Sequence, residues 1–234
     1  MAPVARELSK TRGVLEPLQT QASIDSLTEE LYAVMNEQAQ LPVILIGHSW
    51  GGFFSIIFTD KYPHLVHKLI IIGSGPFEDK YVPLIKETRY SRLTNEEITE
   101  VQKLEIEFRS NEPNKNFKLL ERLGNLTSRA DSYDPIPSNS EVIQYDSEIH
   151  MKVWGEAVEL RKKGKFVDMI KNISCPVVAI HGDYDPHPYK AVKEPFTKYV
   201  KSFKFVLLEK CGHYPWLERN AKEEFYHILN NVFT

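Results

Sequence analysis

The residues most able to do chemistry in this chain are a serine, an aspartate and a histidine that occur in that order along it. Ser49 lies within Gly47-His48-Ser49-Trp50-Gly51-Gly52. A serine between glycines two residues away on either side suits a tight strand-to-helix turn, because the glycines remove the Cβ atoms that would collide there. A serine hydroxyl is a poor nucleophile until a base takes its proton, and an imidazole oriented by a buried carboxylate is the usual base. His213 in Cys211-Gly212-His213 is the candidate base, and an aspartate in His181-Gly182-Asp183-Tyr184-Asp185 is the candidate acid.

The elements needed to position these groups can be read around them. Pro42 to Ile46 is a short β-branched apolar run of the kind buried inside a parallel sheet. The helix that follows, rich in Phe53, Phe54, Ile56, Ile57 and Phe58, aims its N-terminus at Ser49, so the Trp50 backbone N–H is a candidate oxyanion donor. Further strands are expected at Val66 to Ile72, Pro176 to Ile180 and Phe203 to Leu208, with helices over Ser23 to Gln38, Tyr189 to Val200 and Trp216 to Val232. Ser26 with Glu29 matches a capping box for the first of these helices, residues 2–10 read as helix, and Val14 and Leu15 suggest a short strand. Strand, helix and strand repeat in the pattern of a parallel α/β sheet. Between about Phe77 and Ile170 the pattern stops: Leu104 to Phe108, Phe117 to Leu123 and Val153 to Leu160 read as amphipathic helices around a turn-rich patch at 131–140. The expected organisation is a core over residues 1–76 and 171–234, interrupted by a helical lid at 77–170. Ser49, the aspartate and His213 then lie just beyond the C-terminal ends of parallel strands, where open α/β sheets place ligands.

On the motifs Gly47-His48-Ser49-Trp50-Gly51-Gly52, His181-Gly182-Asp183-Tyr184-Asp185 and Cys211-Gly212-His213-Tyr214-Pro215-Trp216, the chain resembles the α/β-hydrolase superfamily, and within it the branch around proline iminopeptidases. The resemblance covers most of the chain outside 77–170. It implies a mostly parallel sheet flanked by helices with an inserted helical cap, a catalytic Ser49, and His213 as base. By the family's pattern the acid is Asp185 rather than Asp183. It also implies a metal-independent and cofactor-free serine hydrolase acting through an acyl-enzyme on a short peptide with a free N-terminus, or alternatively on a small carboxylic ester. The family normally carries further strands and a His-Gly oxyanion loop ahead of the elbow. Here Gly13 is the only glycine before Gly47 and no histidine precedes His48, so the fold is expected to be N-terminally shortened, with one oxyanion donor unassigned. A rival expectation follows, that of a non-catalytic binding protein or inactive remnant.

Other polar residues receive plainer readings. His48 is a packing residue beside the elbow that could also line the pocket. Asp183 accepts hydrogen bonds within its turn. A metal cluster of His181, Asp183, Asp185 and His187 is too short and turn-bound for a tetrahedral site, so no metal is expected. Trp154 and Glu156 are candidate substrate groups in the lid, Glu156 as receptor for a free amine or, more plainly, as part of a solvated helix face. Glu96, Glu97, Glu100 and Glu105 are surface charge.

The chain's 234 residues suffice for one large core with an insertion. A net charge of −3, with no basic run interleaved with aromatics, argues against nucleic acid. No apolar run approaches the roughly 20 residues that cross a bilayer, and Met1 to Glu7 has no apolar leader, so membrane association is not expected and a cytoplasmic address is the default. Cys175 and Cys211 fall at opposite ends of neighbouring strands, beyond disulfide reach. The oligomeric state is left open.

Overall fold

The computed structural model describes residues 1–110, 117–137 and 147–233. Four strands, β1 (Val43–His48), β2 (Val66–Ile72), β3 (Val177–Gly182) and β4 (Phe203–Leu208), form one parallel sheet in the order β1-β2-β3-β4. The register matches His48 with Ile72, Ile72 with Ile180, and Gly182 with Leu208. The strands therefore end along one rim, and each reactive motif begins there.

Alternation along β2 sets the two faces. Leu69 and Ile71 join Phe53, Ile57, Phe166 and Phe196 in one core. Ile70 and Ile72 point the other way, into a second core with Val4, Leu8, Phe225 and Leu229. Helices α2 (Ile24–Gln38), α3 (Trp50–Lys61), α8 (Lys165–Asn172) and α9 (Lys190–Tyr199) contribute to the first, and α1 (Ala2–Leu8) and α10 (Lys222–Asn231) to the second. A sheet covered on both sides this way explains why its strands are nearly continuous apolar runs. Helix α3 is buried from Gly52 to Thr59, as a helix that is apolar all round must be. It stops at Tyr62-Pro63, where the ring of Pro63 disfavours helical backbone in the preceding residue.

Between β2 and β3 the chain is helical: α4 (Val82–Tyr90), α5 (Asn95–Ser110), α6 (Phe117–Asp131) and α7 (Ser147–Lys162) precede α8. The three helical runs expected there lie inside α5, α6 and α7. The expected turn-rich patch extends to residues 138–140, which lie outside those described.

Three local expectations are corrected. The cap of α2 is Ser23, whose hydroxyl accepts the Ser26 N–H at 3.2 Å; Glu29, the presumed box partner of Ser26, instead accepts from the Tyr62 hydroxyl at 2.7 Å. Val14 and Leu15 form no strand and stay partly exposed, because no neighbouring strand offers them a ladder. The C-terminal helix begins at Lys222 rather than Trp216: Pro215–Leu217 make a single 3-10 turn, after which Glu218 is extended and bridges to Pro135.

Strand β1 is an edge of the sheet. A groove of about 990 Å³ runs beside it, with Val14, Leu18, Leu31, Met35 and Phe233 among its walls. Both cysteines are free thiols; burial raises the Cys211 thiol far above its ordinary value, which keeps it protonated. Among the described residues no helix is long and apolar enough to cross a membrane.

Candidate active site

Ser49 follows β1 directly and holds φ 53°, ψ −116°, a left-handed backbone that a non-glycine residue adopts only when its surroundings enforce it. The enforcement is visible at Gly47, where a Cβ would lie 2.1 Å from the Gly51 carbonyl oxygen, so the chain can fold back this tightly only with glycine there. The Ser49 N–H bonds to the Ile72 carbonyl at 3.1 Å, which pins the turn to the end of β2. Its hydroxyl does not cap α3. The Trp50 N–H is the first of α3 and has no intrahelical carbonyl to bond.

Asp185 and His213 are brought together although they leave different strands. His213 Nδ1 lies 2.8 Å from Asp185 Oδ2, and both residues are buried. Burial pushes the Asp185 carboxyl up, but the imidazoles of His213, His187 and His181 together outweigh it and hold the group well below the usual carboxylate range. An ionised carboxylate only accepts, so His213 Nδ1 carries a proton, and in a neutral ring Nε2 is then the nitrogen with the lone pair. Gly73, at φ 48°, sits beneath the pair: a Cβ there would lie 2.9 Å from the His213 carbonyl oxygen and 3.3 Å from Asp185 Oδ2.

The loop carrying His213 is fastened on three sides. Its N–H bonds to the Asp131 carbonyl at the end of α6 at 2.8 Å, and its carbonyl accepts His48 Nε2–H at 2.9 Å. One residue earlier, the Gly212 N–H reaches Glu218 Oε1 at 3.0 Å. Glu218, 1% exposed, also accepts the Tyr133 and Asp134 N–H groups at 2.9 and 2.8 Å, tying the segment after α6 to this loop. Asp131 is itself held by a two-pronged contact from Arg89 at 2.7 and 2.6 Å. Arg92 bonds the carbonyls of Ala130 and Tyr184 and stacks 3.5 Å over the Tyr184 ring.

The remaining expected residues are placed as follows. His48 packs against His213, Tyr214 and Trp216, with ring centroids 4.7 to 5.2 Å away, as well as bonding the His213 carbonyl. Burial depresses its imidazole well below the ordinary value. Asp183 accepts the Cys211 N–H at 3.1 Å, so its carboxylate joins the end of β3 to the loop after β4 rather than bonding within its own turn as expected. Trp154 is 40% exposed and packs edge-on against Trp50 and Phe53. Glu156 directs Oε2 to the Ile24 N–H at 2.8 Å, at the start of α2. Residues that sequence reasoning passed over or cast differently are Arg89, Asp131, Glu218 and His187. Only His187 had a local signal: two residues after an aspartate, its N–H can turn back onto that carboxylate. Asp185, His187 and His213 bring donor atoms within 4.8 Å of one another, with both imidazole Nδ1 atoms engaged by the two oxygens of one carboxylate.

Known proteins agree with this architecture. A family model of the alpha/beta hydrolase fold matches residues 9–219. Protein ABHD8 of Homo sapiens is 42% identical over 52 residues, 22% of this chain and 12% of that protein. A pimeloyl-[acyl-carrier protein] methyl ester esterase of Legionella pneumophila is 28% identical over 182 residues, 76% of this chain and 66% of the esterase. The chain thus spans about an eighth of the first relative's length through the matched segment and just under two thirds of the second's. The crystal structure of proline iminopeptidase from Mycobacterium smegmatis superposes with a TM-score of 0.56 at 16% identity, covering 90% of this chain and 71% of that one. With a family match that takes in the Ser49 turn, the helices between β2 and β3 and the His213 loop, this chain belongs to the alpha/beta hydrolase fold family.

Proposed function

We propose that the chain is a serine hydrolase of carboxylic esters, with Ser49 as nucleophile, His213 as base and Asp185 as the residue that orients His213. The observation that carries this reading is the 2.8 Å contact between His213 Nδ1 and Asp185, at the same rim as a strained serine elbow. Catalytic hydrogen bonds in unliganded sites are often long and tighten with substrate, so the reading asks of the Ser49 hydroxyl only that it reach His213 Nε2 in the complex.

In the first half-reaction Ser49 Oγ attacks the ester carbonyl carbon while its proton passes to His213 Nε2. The resulting oxyanion is met by the Trp50 N–H and the N-terminus of α3. Collapse breaks the bond to the leaving alkoxide, which takes the proton from His213 and departs as alcohol. In the second half-reaction His213 takes a proton from water, the hydroxide attacks the acyl-serine, and the acid departs as Ser49 recovers its proton. Asp185 remains ionised throughout and stabilises the imidazolium.

An ester is preferred over a peptide with a free amine on two grounds. A curated relative that matches most of this chain carries an esterase name. Glu156, the lid carboxylate that could have received an amine, has an oxygen engaged by Ile24. The test is labelling with a fluorophosphonate: the protein is expected to be modified at Ser49 and Ser49→Ala to be inert. Folded wild-type protein that stays unlabelled overturns the serine hydrolase reading. Turnover of a prolyl arylamide in preference to an aryl acetate overturns the ester assignment and restores the aminopeptidase.

A further inference from the structure

A carboxylate that orients a base must itself be held, since rotation about the Asp Cβ–Cγ bond is broad and a single contact through Oδ2 leaves it free to tilt. Asp185 is held through its other oxygen. Oδ1 receives the His187 backbone N–H at 2.9 Å and His187 Nδ1 at 2.7 Å. His187 is anchored in turn: its carbonyl accepts Nε2–H of His181 at 2.8 Å, and His181, 1% exposed, belongs to β3. The His181 contact to Asp185 itself is 3.5 Å, too long for a hydrogen bond of normal strength. An unbroken set of contacts therefore runs from the rigid sheet through His181 and His187 to Asp185, and from there to His213.

We propose that His187 is a positioning residue, whose side-chain N–H fixes Asp185 Oδ1 so that Oδ2 stays aligned with His213. The inference rests on the Ser49–His213–Asp185 reading. Burial lowers the His187 imidazole below its ordinary value against the opposing pull of Asp185, so it acts as a neutral donor rather than as a counter-ion. That neutrality gives its loss a sign. Without the donor, the Asp185 carboxylate presents more of its charge to His213, the protonated imidazole gains, and the base is disarmed at a higher pH. The groups facing this pair from elsewhere are His48 of β1, Arg89 of α4, Arg92 beyond it, Asp131 of α6, His181 of β3, and Cys211 and Tyr214 beside His213. All of them persist in the variants below.

The experiment measures the rate at which a fluorophosphonate modifies Ser49 in the intact protein from about pH 5 to about pH 9, for wild type, His187→Ala and His187→Asn. In His187→Ala the plateau rate is expected to fall roughly tenfold, as loss of a hydrogen bond to a charged group warrants, and the acid limb to move up by about half a unit or more. His187→Asn, whose amide can donate to the same oxygen, is expected to recover most of the rate and the original limb. If His187→Ala does not fold, His187→Phe, which keeps ring volume without the donor, is measured in its place. A donor-less variant with the wild-type plateau and limb overturns the proposal, as does an Asn variant no better than Ala. Both leave the triad reading intact, whereas an unreactive wild type overturns that reading directly.

Discussion

His48 Nε2–H donates to the carbonyl oxygen of His213 across 2.9 Å, so the residue immediately before the elbow serine holds the backbone of the residue paired with Asp185. The two motifs are 165 residues apart, and this bond makes their separation a fixed length. His48→Phe preserves the ring packing against Tyr214 and Trp216 while removing the donor. Leaving a buried carbonyl unpaired costs about 1–3 kcal/mol. The expected outcome is a lower melting temperature together with a several-fold slower reaction of Ser49 with a fluorophosphonate. Equal rates in the two proteins would show that the bond is structural only.

Glu218 serves the same loop from the opposite side. Its carboxylate is the acceptor for the N–H groups of Gly212, Tyr133 and Asp134. Glu218→Gln keeps the shape but replaces one accepting oxygen with a donor, which must face at least one of those N–H groups. A loss of about 1–3 kcal/mol is expected from denaturant unfolding. Because the severed contacts tie the segment after α6 to the His213 loop, limited proteolysis is expected to cut more readily near 133–137. Glu218→Gln with unchanged stability and unchanged cleavage would contradict the role assigned to this clasp.

The sheet is legible in the sequence because each strand is a mainly apolar run bounded by glycine, proline or charge, and the parallel register then carries Ser49, Asp185 and His213 to one rim. The clasps were not legible. Glu218 meets Tyr133 and Asp134 across more than 80 positions, and Arg89 meets Asp131 across 42, with no local pattern to announce either. The start of α10 at Lys222 is not legible for the same reason: Glu218 is drawn into an extended bridge by Pro135, a tertiary contact that overrides a helix-compatible stretch. Val14 and Leu15 read as strand from residue type alone, yet strand propensity is realised only beside a partner.

Acid sensitivity follows from the imidazoles around Asp185. Burial lowers His48, His181 and His187 below the ordinary value, so the folded state resists protons that the unfolded chain accepts. The unfolded state therefore binds more protons as pH drops past about 6.5, and stability is lost from there down towards the folded-state values. Each such group contributes a slope of at most about 1.4 kcal/mol per pH unit. Asp185 works over a lower window: its depressed carboxyl stabilises the fold above the unfolded value of about 3.9, and this is lost as pH falls towards the folded one. Thermal melts are expected to be flat near neutrality and to fall steeply between about pH 6.5 and pH 5. A melting temperature that stays level across that interval would contradict the neutral state of these rings.

Glu156, on α7, offers a way to separate substrate recognition from helix packing. Its carboxylate sits on the Ile24 N–H in the first turn of α2, where an anion also meets the positive end of the helix. If this is its whole function, Glu156→Ala should lower stability by about 0.5–1 kcal/mol and leave the ratio of aryl acetate to prolyl arylamide turnover where it was. If instead the carboxylate receives a substrate amine, the same variant should leave stability nearly unchanged and selectively raise KM for substrates with a free N-terminus. Comparing Glu156→Ala with Glu156→Gln sharpens the distinction, since the amide oxygen of Gln can still accept the Ile24 N–H but carries no charge for an ammonium group. The helix-cap account therefore predicts that Gln recovers most of the lost stability, and the amine-receptor account predicts that Gln is as impaired towards the peptide as Ala.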